Sequence, residues 1–321
     1  MSNNLLSNLL FSINAVGPVV LIAAFGYVLK RARFITDGFW DNVDKLTFRV
    51  AFPVLLFRSV AEADLSSAFN PFLIVFCAIG LVLTVILCAV PALLIIKDPA
   101  VRGAFVHGAY RSNTVIFGVA IIIGVFGDGE AAGTTALTLA FIIPLVNILA
   151  VVILSLNGAG GKITLPGILK NIALNPLILG TAAGAAGVFL KEYITFPQIL
   201  DSATNSIAAI ATPLALMSLG AGFDMSSAIK NLKLSLPAVA LKLIIFPLAA
   251  CAIAVPFGFR GLDLLFVYIV FGSPTAAAAY IMGKNMNSDY ELTGQIIMLS
   301  TVFSAFTIIA GLFTMKTFGL L

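Results

Sequence analysis

The sequence predicts an all-α integral membrane protein: ten transmembrane helices arranged as two inverted five-helix repeats, with helices 4 and 9 broken and crossed. Three observations predict it. The chain of 321 residues is 60% hydrophobic and only 10% charged, with a mean hydropathy of +1.11, whereas a soluble domain carries about 25% charged residues. Its two halves share a gapless internal similarity. Two of its apolar stretches are interrupted by polar residues at equivalent places, 161 residues apart.

In chain order, the apolar segments fall at 11–30, 39–61, 70–96, 101–126, 131–156, 166–190, 198–221, 232–256, 262–284 and 290–317. Each is close to or above the roughly 20 residues that a helix needs to cross a bilayer. Connections are short and leave no room for an extramembrane domain. The start, Met1-Ser-Asn-Asn4, lacks the basic region of a cleaved signal peptide, so the first segment is expected to remain as a helix. The most linker-like stretch, Asn157-Gly-Ala-Gly-Gly-Lys162, divides a first repeat (1–156) from a second (166–321), with a Gly-rich linker over 157–165. The 27 glycines suit close helix packing. Cys77, Cys88 and Cys251 sit inside apolar runs with no paired or metal-ligand spacing, and read as small buried hydrophobes.

The repeat is explicit in the residues. Shifting 41–68 by 160 onto 201–228 gives nine identities, among them Asp41/Asp201, Ala51/Ala211, Pro53/Pro213, Leu56/Leu216 and Asp64/Asp224, where about two or three are expected between unrelated apolar segments. Five helices per half is an odd number, so the second copy enters the membrane inverted. Asp64 and Asp224 read as helix N-caps at opposite faces. The loops after odd-numbered helices hold Lys30, Arg31, Arg33, Lys97, Arg102, Lys162, Lys170, Lys230, Lys233 and Lys284; the other side holds few cations and the acidic turn at Asp128 and Glu130. The positive-inside rule places both termini outside the cell and the odd loops in the cytoplasm. The net charge of +4 is accounted for by this asymmetry rather than by a nucleic-acid partner.

The two interruptions are the candidate site. Phe105-Val-His-Gly-Ala-Tyr-Arg-Ser-Asn-Thr114 aligns with Phe266-Val-Tyr-Ile-Val-Phe-Gly-Ser-Pro-Thr275. Irregular backbone at membrane depth survives only where it is buried in protein or lines a cavity, and paired interrupted segments point to a transport site. Half-helices starting from Thr114 and Thr275 would aim free N–H groups and positive dipole ends at the midplane. Asp41, Asp44 and Lys45 belong to the interface at the start of helix 2, so no carboxylate is expected at mid-depth, whereas Arg49, Arg111 and Lys242 are deep cations. Buried cations without buried acids suit an anion. Candidate substrate-binding residues are Arg111, Ser112, Asn113, Thr114, Asn147, Ser273, Pro274, Thr275, Ser300 and Ser304, with Thr301 nearby and with Lys242 and His107 as charge support. Arg111 has two readings, substrate contact or neutralisation of half-helix C-terminal ends. Lys242 reads as snorkelling or pairing with backbone carbonyls rather than touching substrate, and His107 as a packed neutral imidazole rather than a proton relay. Asn147 is open between an interhelical hydrogen bond and a ligand role.

Several of these segments, in order along the whole chain, resemble the auxin efflux carrier family, whose bacterial branch includes malonate and malate permease-like proteins. They are Arg111-Ser-Asn-Thr-Val-Ile-Phe-Gly118, Asn175-Pro-Leu-Ile-Leu-Gly180, Thr212-Pro-Leu-Ala-Leu-Met-Ser-Leu-Gly220, Lys242-Leu-Ile-Ile-Phe-Pro247, Ser273-Pro-Thr-Ala-Ala-Ala278 and Ser300-Thr-Val-Phe-Ser304. The resemblance implies a fold like that of sodium/proton antiporters and bile-acid symporters. It also implies a scaffold of helices 1, 2, 6 and 7 against a moving unit of helices 3–5 and 8–10, with Asn113 and Pro274 at the crossing and Asn147 beside the substrate. The position paired with Asn113 is Pro274, so the two crossings differ, and the long cytoplasmic loop of many plant members is absent.

The reading is a plasma-membrane transporter of small organic anions, mono- or dicarboxylates or auxin-like carboxylates, working by alternating access. Its partners are a small carboxylate and the bilayer, and a homodimer is one assembly open to it. No cofactor or metal is called for; proton or sodium coupling stays open, and obligatory sodium dependence is not expected because no deep carboxylate is available to hold the ion. The alternatives are a sodium-coupled organic-anion symporter of the bile-acid type and a ligand-sensing membrane module. An enzyme is not expected: one histidine and no buried acid pair leave no general acid–base set.

Overall fold

The computed structural model describes residues 18, 20–62, 70–127, 130–157, 165–190, 197–223 and 225–321. The predicted caps Asp64 and Asp224, the acidic residue Asp128, the glycines of the linker and the N-terminal segment to residue 17 lie outside the described residues. Among the described residues every regular element is helical, and the sole extended pairing is one isolated bridge.

Helix α1 covers 20–31. Helix α2 runs Asp37–Leu46, through a wide π turn at Thr47–Ala51, into Phe52–Ala61. Asn70 caps α3, Pro71–Ile95, by accepting from the Leu73 N–H at 3.1 Å. Asp98 likewise caps α4a, Pro99–Tyr110, and proline at the first position of both helices costs no hydrogen bond. After the break, α4b comprises a π turn, Thr114–Gly118, and Val119–Phe126, and ends at Gly127 with a φ of 83°. Then follow α5, Glu130–Asn157; α6a, Leu165–Ala173; α6b, Pro176–Leu190; and α7, Gln198–Ala221. Helix α8 joins Met225–Ala240, a π turn at Leu241–Ile245, and Phe246–Ala254. The chain closes with α9a, Gly261–Gly272; α9b, Ala278–Asn285; and α10, Tyr290–Thr317.

Two of the three π turns share a cause. In α2 and α8 the wide turn is followed at once by Phe-Pro, at Phe52-Pro53 and Phe246-Pro247. A proline ring inside a helix clashes with the carbonyl four residues back and offers it no N–H. Widening the preceding turn relieves both problems without breaking the helix. The predicted single segment 166–190 is instead two helices bent by 59° before Pro176. The residue before a proline is pushed out of the α region, and Asn175 accepts from the Leu177 N–H to start α6b afresh.

By length and composition, five of the described helices can cross a membrane, or six if α6a and α6b form one bent span. The shortfall against ten segments has physical reasons. Helix α2 carries Asp41, Asp44, Lys45, Arg49 and Arg58, the two broken segments are each divided into short helices, and α1 is described over only part of its predicted length.

The helices pack in two groups. The second half of α2 lies along α6b and α7. The contact with α6b is a row of small residues: a methyl on Gly184 would stand 3.0 Å from Val60 Cβ and 3.1 Å from Phe57 Cα. Such close backbone approach is how helices associate where apolar burial offers little drive. In the other group, α4a packs against α3, α5, α8 and α10, and α9a packs against α8. Helix α5 also touches α2 and α6b and so joins the two groups.

Candidate functional site: a crossing of two broken helices

The breaks after α4a and α9a meet. Ser112 and Thr275 form an antiparallel bridge, the Asn113 N–H donates to the Pro274 carbonyl at 2.8 Å, and the Ala276 N–H donates to the Arg111 carbonyl at 3.3 Å. A helix end leaves carbonyls without partners, and burying them is costly. Here the two breaks cap each other. Thr275 Oγ1 donates to the Gly108 carbonyl in the last turn of α4a at 2.8 Å, and Ser112 Oγ donates to the Val270 carbonyl in the last turn of α9a.

Two buried cations flank the crossing. Lys242, on the π turn of α8 and fully buried, donates to the Tyr110 carbonyl at 3.1 Å, to the Phe271 carbonyl at 3.2 Å and to Ser112 Oγ. It thus reaches the C-terminal ends of both α4a and α9a, where negative dipole ends meet. Arg111 is 4% exposed and differently placed. Its Nη2 donates to Asn147 Oδ1 at 2.9 Å, and its Nη1 lies 3.1 Å from Met282 Sδ and 3.4 Å from His107 Nε2. Its Nε has no hydrogen-bond partner, and no ion pair among the described residues involves it. Asn147 is itself held through Thr181, whose hydroxyl lies 3.5 Å from Asn147 Nδ2 and donates to the Leu177 carbonyl.

Arg111, Ser112, Asn113, Thr114 and Asn147 line a cavity of about 70 Å³ beside the crossing. Its remaining walls are apolar or small: Phe52, Leu55 and Leu56 from α2, Val115 from α4b, Ile143 and Val146 from α5, Thr212 from α7, and Ala276–Ala278 at the start of α9b. The first turns of α4b and α9b therefore both border the cavity. Helix α9b starts at Ala278, not at Thr275, because the Ala276 N–H is taken by the bridge and the N–H groups of Ala279 and Tyr280 close short turns onto Ala276 and Ala277.

Other candidates occupy supporting positions outside the cavity lining. The Thr275 N–H donates to Ser300 Oγ, which donates onward to the Ile297 carbonyl, while Ser304 and Thr301 bond within α10. Pro274 serves through its carbonyl. Ser273 Oγ and His107 Nδ1 are buried without partners. Facing a guanidinium N–H, His107 Nε2 can only accept, so the ring sits beside Arg111 as a neutral imidazole. Arg49 is exposed on the outer surface of α2. Asp44, expected at the interface, is buried against protein there: it is 2% exposed, accepts from Ser218 Oγ, and pairs at 2.6 Å with Lys284 of α9b, which also reaches Asp41 at 2.9 Å. That ion pair ties α2 to α9b.

Met282, Thr181, Thr212 and the apolar walls escape a reading of the sequence. A methionine in an apolar helix carries no polar signal, and a threonine inside a helix is most often bonded to its own backbone.

A family model described as membrane transport protein matches residues 11–310. The chain belongs to this family, the auxin efflux carriers. It is also similar to an uncharacterized transporter from Methanothermobacter thermautotrophicus, 24% identical over 298 residues that cover 91% of this chain and 95% of the relative. With the apolar helices described above, this family member is a multi-pass membrane protein and a transporter.

Proposed function

We propose that this carrier moves small organic anions, mono- or dicarboxylates, by alternating access at the crossing. The observation that carries the reading is Arg111: a buried guanidinium on a cavity wall, with an unpaired Nε and no carboxylate against it among the described residues. An isolated buried charge is costly, and a visiting anion that completes its hydrogen bonds relieves that cost. The first turns of α4b and α9b add positive dipole ends on the same cavity, and Asn113 and Asn147 add donors.

Cavity size narrows the class. A bound water needs roughly 10–15 Å³ of such space, so a cavity of about 70 Å³ holds an anion of a few heavy atoms and not a sterol-sized one. That favours a small-carboxylate carrier over the bile-acid type. The architecture that suits the cycle is ten helices in two inverted repeats, with a scaffold of α1, α2, α6 and α7 and a moving unit of the other helices. The cavity lies between these groups, with walls from both. With both termini outside and the odd loops in the cytoplasm, the Asp41/Asp44–Lys284 cluster bridges the groups at the cytoplasmic end and must part for the site to open there.

Purified protein in liposomes should accumulate labelled malonate, malate or acetate above empty liposomes, with equal rates in sodium and in choline. No uptake of any of the three by folded protein contradicts the substrate class; uptake that vanishes in choline contradicts the sodium-independent form of the cycle.

A further inference from the structure

The oxygens around Lys242 form a site in their own right. Two backbone carbonyls come from the ends of different half-helices, Tyr110 of α4a and Phe271 of α9a. The third oxygen is Ser112 Oγ, whose proton is committed to the Val270 carbonyl, so its lone pairs face the ammonium. All three are neutral, and no carboxylate contributes. Convergent carbonyls at half-helix C-terminal ends are what a transporter with broken helices uses to hold an alkali-metal ion. Here the position is filled by Nζ, carried in on a side chain that leaves the π turn of α8 and is buried along its whole length.

We propose that Lys242 is a tethered cation filling a monovalent-cation site at the crossing, so that the chain supplies from its own side chain the charge that a bound alkali-metal ion would otherwise bring. The inference rests on the transporter reading for its meaning but not for its test. A permanently filled site cannot exchange ions during a cycle. No sodium step is then needed to assemble the crossing. Removing the ammonium while leaving the oxygens should create an empty cation site, and external cations should refill it. The two carbonyl oxygens sit 3.1 and 3.2 Å from the ammonium, so potassium, the common alkali ion nearest to ammonium in size, should refill it better than sodium.

The experiment is thermal melting of the purified full-length protein in chloride salts of potassium, sodium or N-methylglucamine at equal ionic strength, with no substrate present. Lys242→Met keeps most of the stem but ends one atom short of Nζ; it should melt lower than wild type by roughly 5 °C or more and be raised saturably by potassium. Lys242→Ala removes the four outer heavy atoms and should be raised by n-propylammonium, which replaces them atom for atom, and not by neutral n-propanol. Wild type should respond to none of these ions. Variants that melt like wild type, or that respond equally to N-methylglucamine and potassium, overturn the proposal. So does a wild type that shows its own saturable cation stabilisation. Should the alanine variant fail to survive purification, the methionine variant and wild type decide the matter. Because melting needs neither substrate nor flux, its result stands apart from the liposome assay.

Discussion

Arg111 and Lys242 are two buried cations at one crossing, and their surroundings are opposites. Lys242 has three oxygens around one ammonium, drawn from both broken segments. Arg111, which lines the cavity, has one amide oxygen, a thioether and an imidazole nitrogen around it, and its Nε has no hydrogen-bond partner. A dipole end asks for charge and little geometry, and Lys242 already meets that demand at both half-helix ends. The neutralising role that the sequence alone left open for Arg111 thus has a second candidate in Lys242. Arg111 retains an unsatisfied donor, which an anion bound in the cavity could engage.

The largest effect should come from giving Arg111 a permanent partner, as Lys242 already has. Asn147→Asp would place a carboxylate where the amide oxygen now accepts from Nη2 at 2.9 Å. The new ion pair would occupy the guanidinium permanently, and anion binding should fall by at least about a hundred-fold while the melting temperature rises or holds. Truncating one member of a desolvated charge pair costs about 2–5 kcal/mol, and a competing internal anion removes interaction of that order. Substrate-induced melting shifts on the purified variant would check this; a normal shift in Asn147→Asp would erase the distinction between the two cations. A much smaller effect is expected from Thr181→Val, which removes only the long contact to Asn147 Nδ2 at 3.5 Å. Carboxylate affinity should then drop by a few-fold, about 0.5–1.5 kcal/mol, in an equilibrium binding titration. A loss as large as that of Asn147→Asp would mean that Thr181 positions the site directly.

Much of this crossing was legible in the sequence, for a physical reason. A polar interruption such as Arg111-Ser-Asn-Thr114 inside an apolar segment is so costly in a bilayer that it announces a break, and its counterpart at Ser273-Pro-Thr275 announces where the partner lies. That the two breaks are bonded to each other needs only the repeat. What stayed hidden depends on rotation about helix axes. Asp44 lies in a stretch that reads as interfacial, yet its side of α2 faces α7 and Lys284. Thr275, Ser300 and Ser304 are polar at the right depth, but their hydroxyls are spent on nearby carbonyls. The pairing of Lys242 with carbonyls was one of two readings open in the sequence, beside snorkelling, and nothing there said that both half-helices would supply them. Its π turn is the one clue, because Phe246-Pro247 forces the helix to widen just where the lysine departs.

The measurement closest to the central claim is the substrate-induced melting shift of Arg111→Lys beside wild type. Lysine keeps the charge but loses the planar fork that grips a carboxylate through two parallel N–H bonds. If Arg111 binds the anion, the variant should fold with a melting temperature near that of wild type and yet lose most of its ligand-induced shift, reflecting a binding loss of about 2 kcal/mol or more. A variant with a normal ligand shift would contradict the account, since charge alone would then suffice and Arg111 would be doing what Lys242 does.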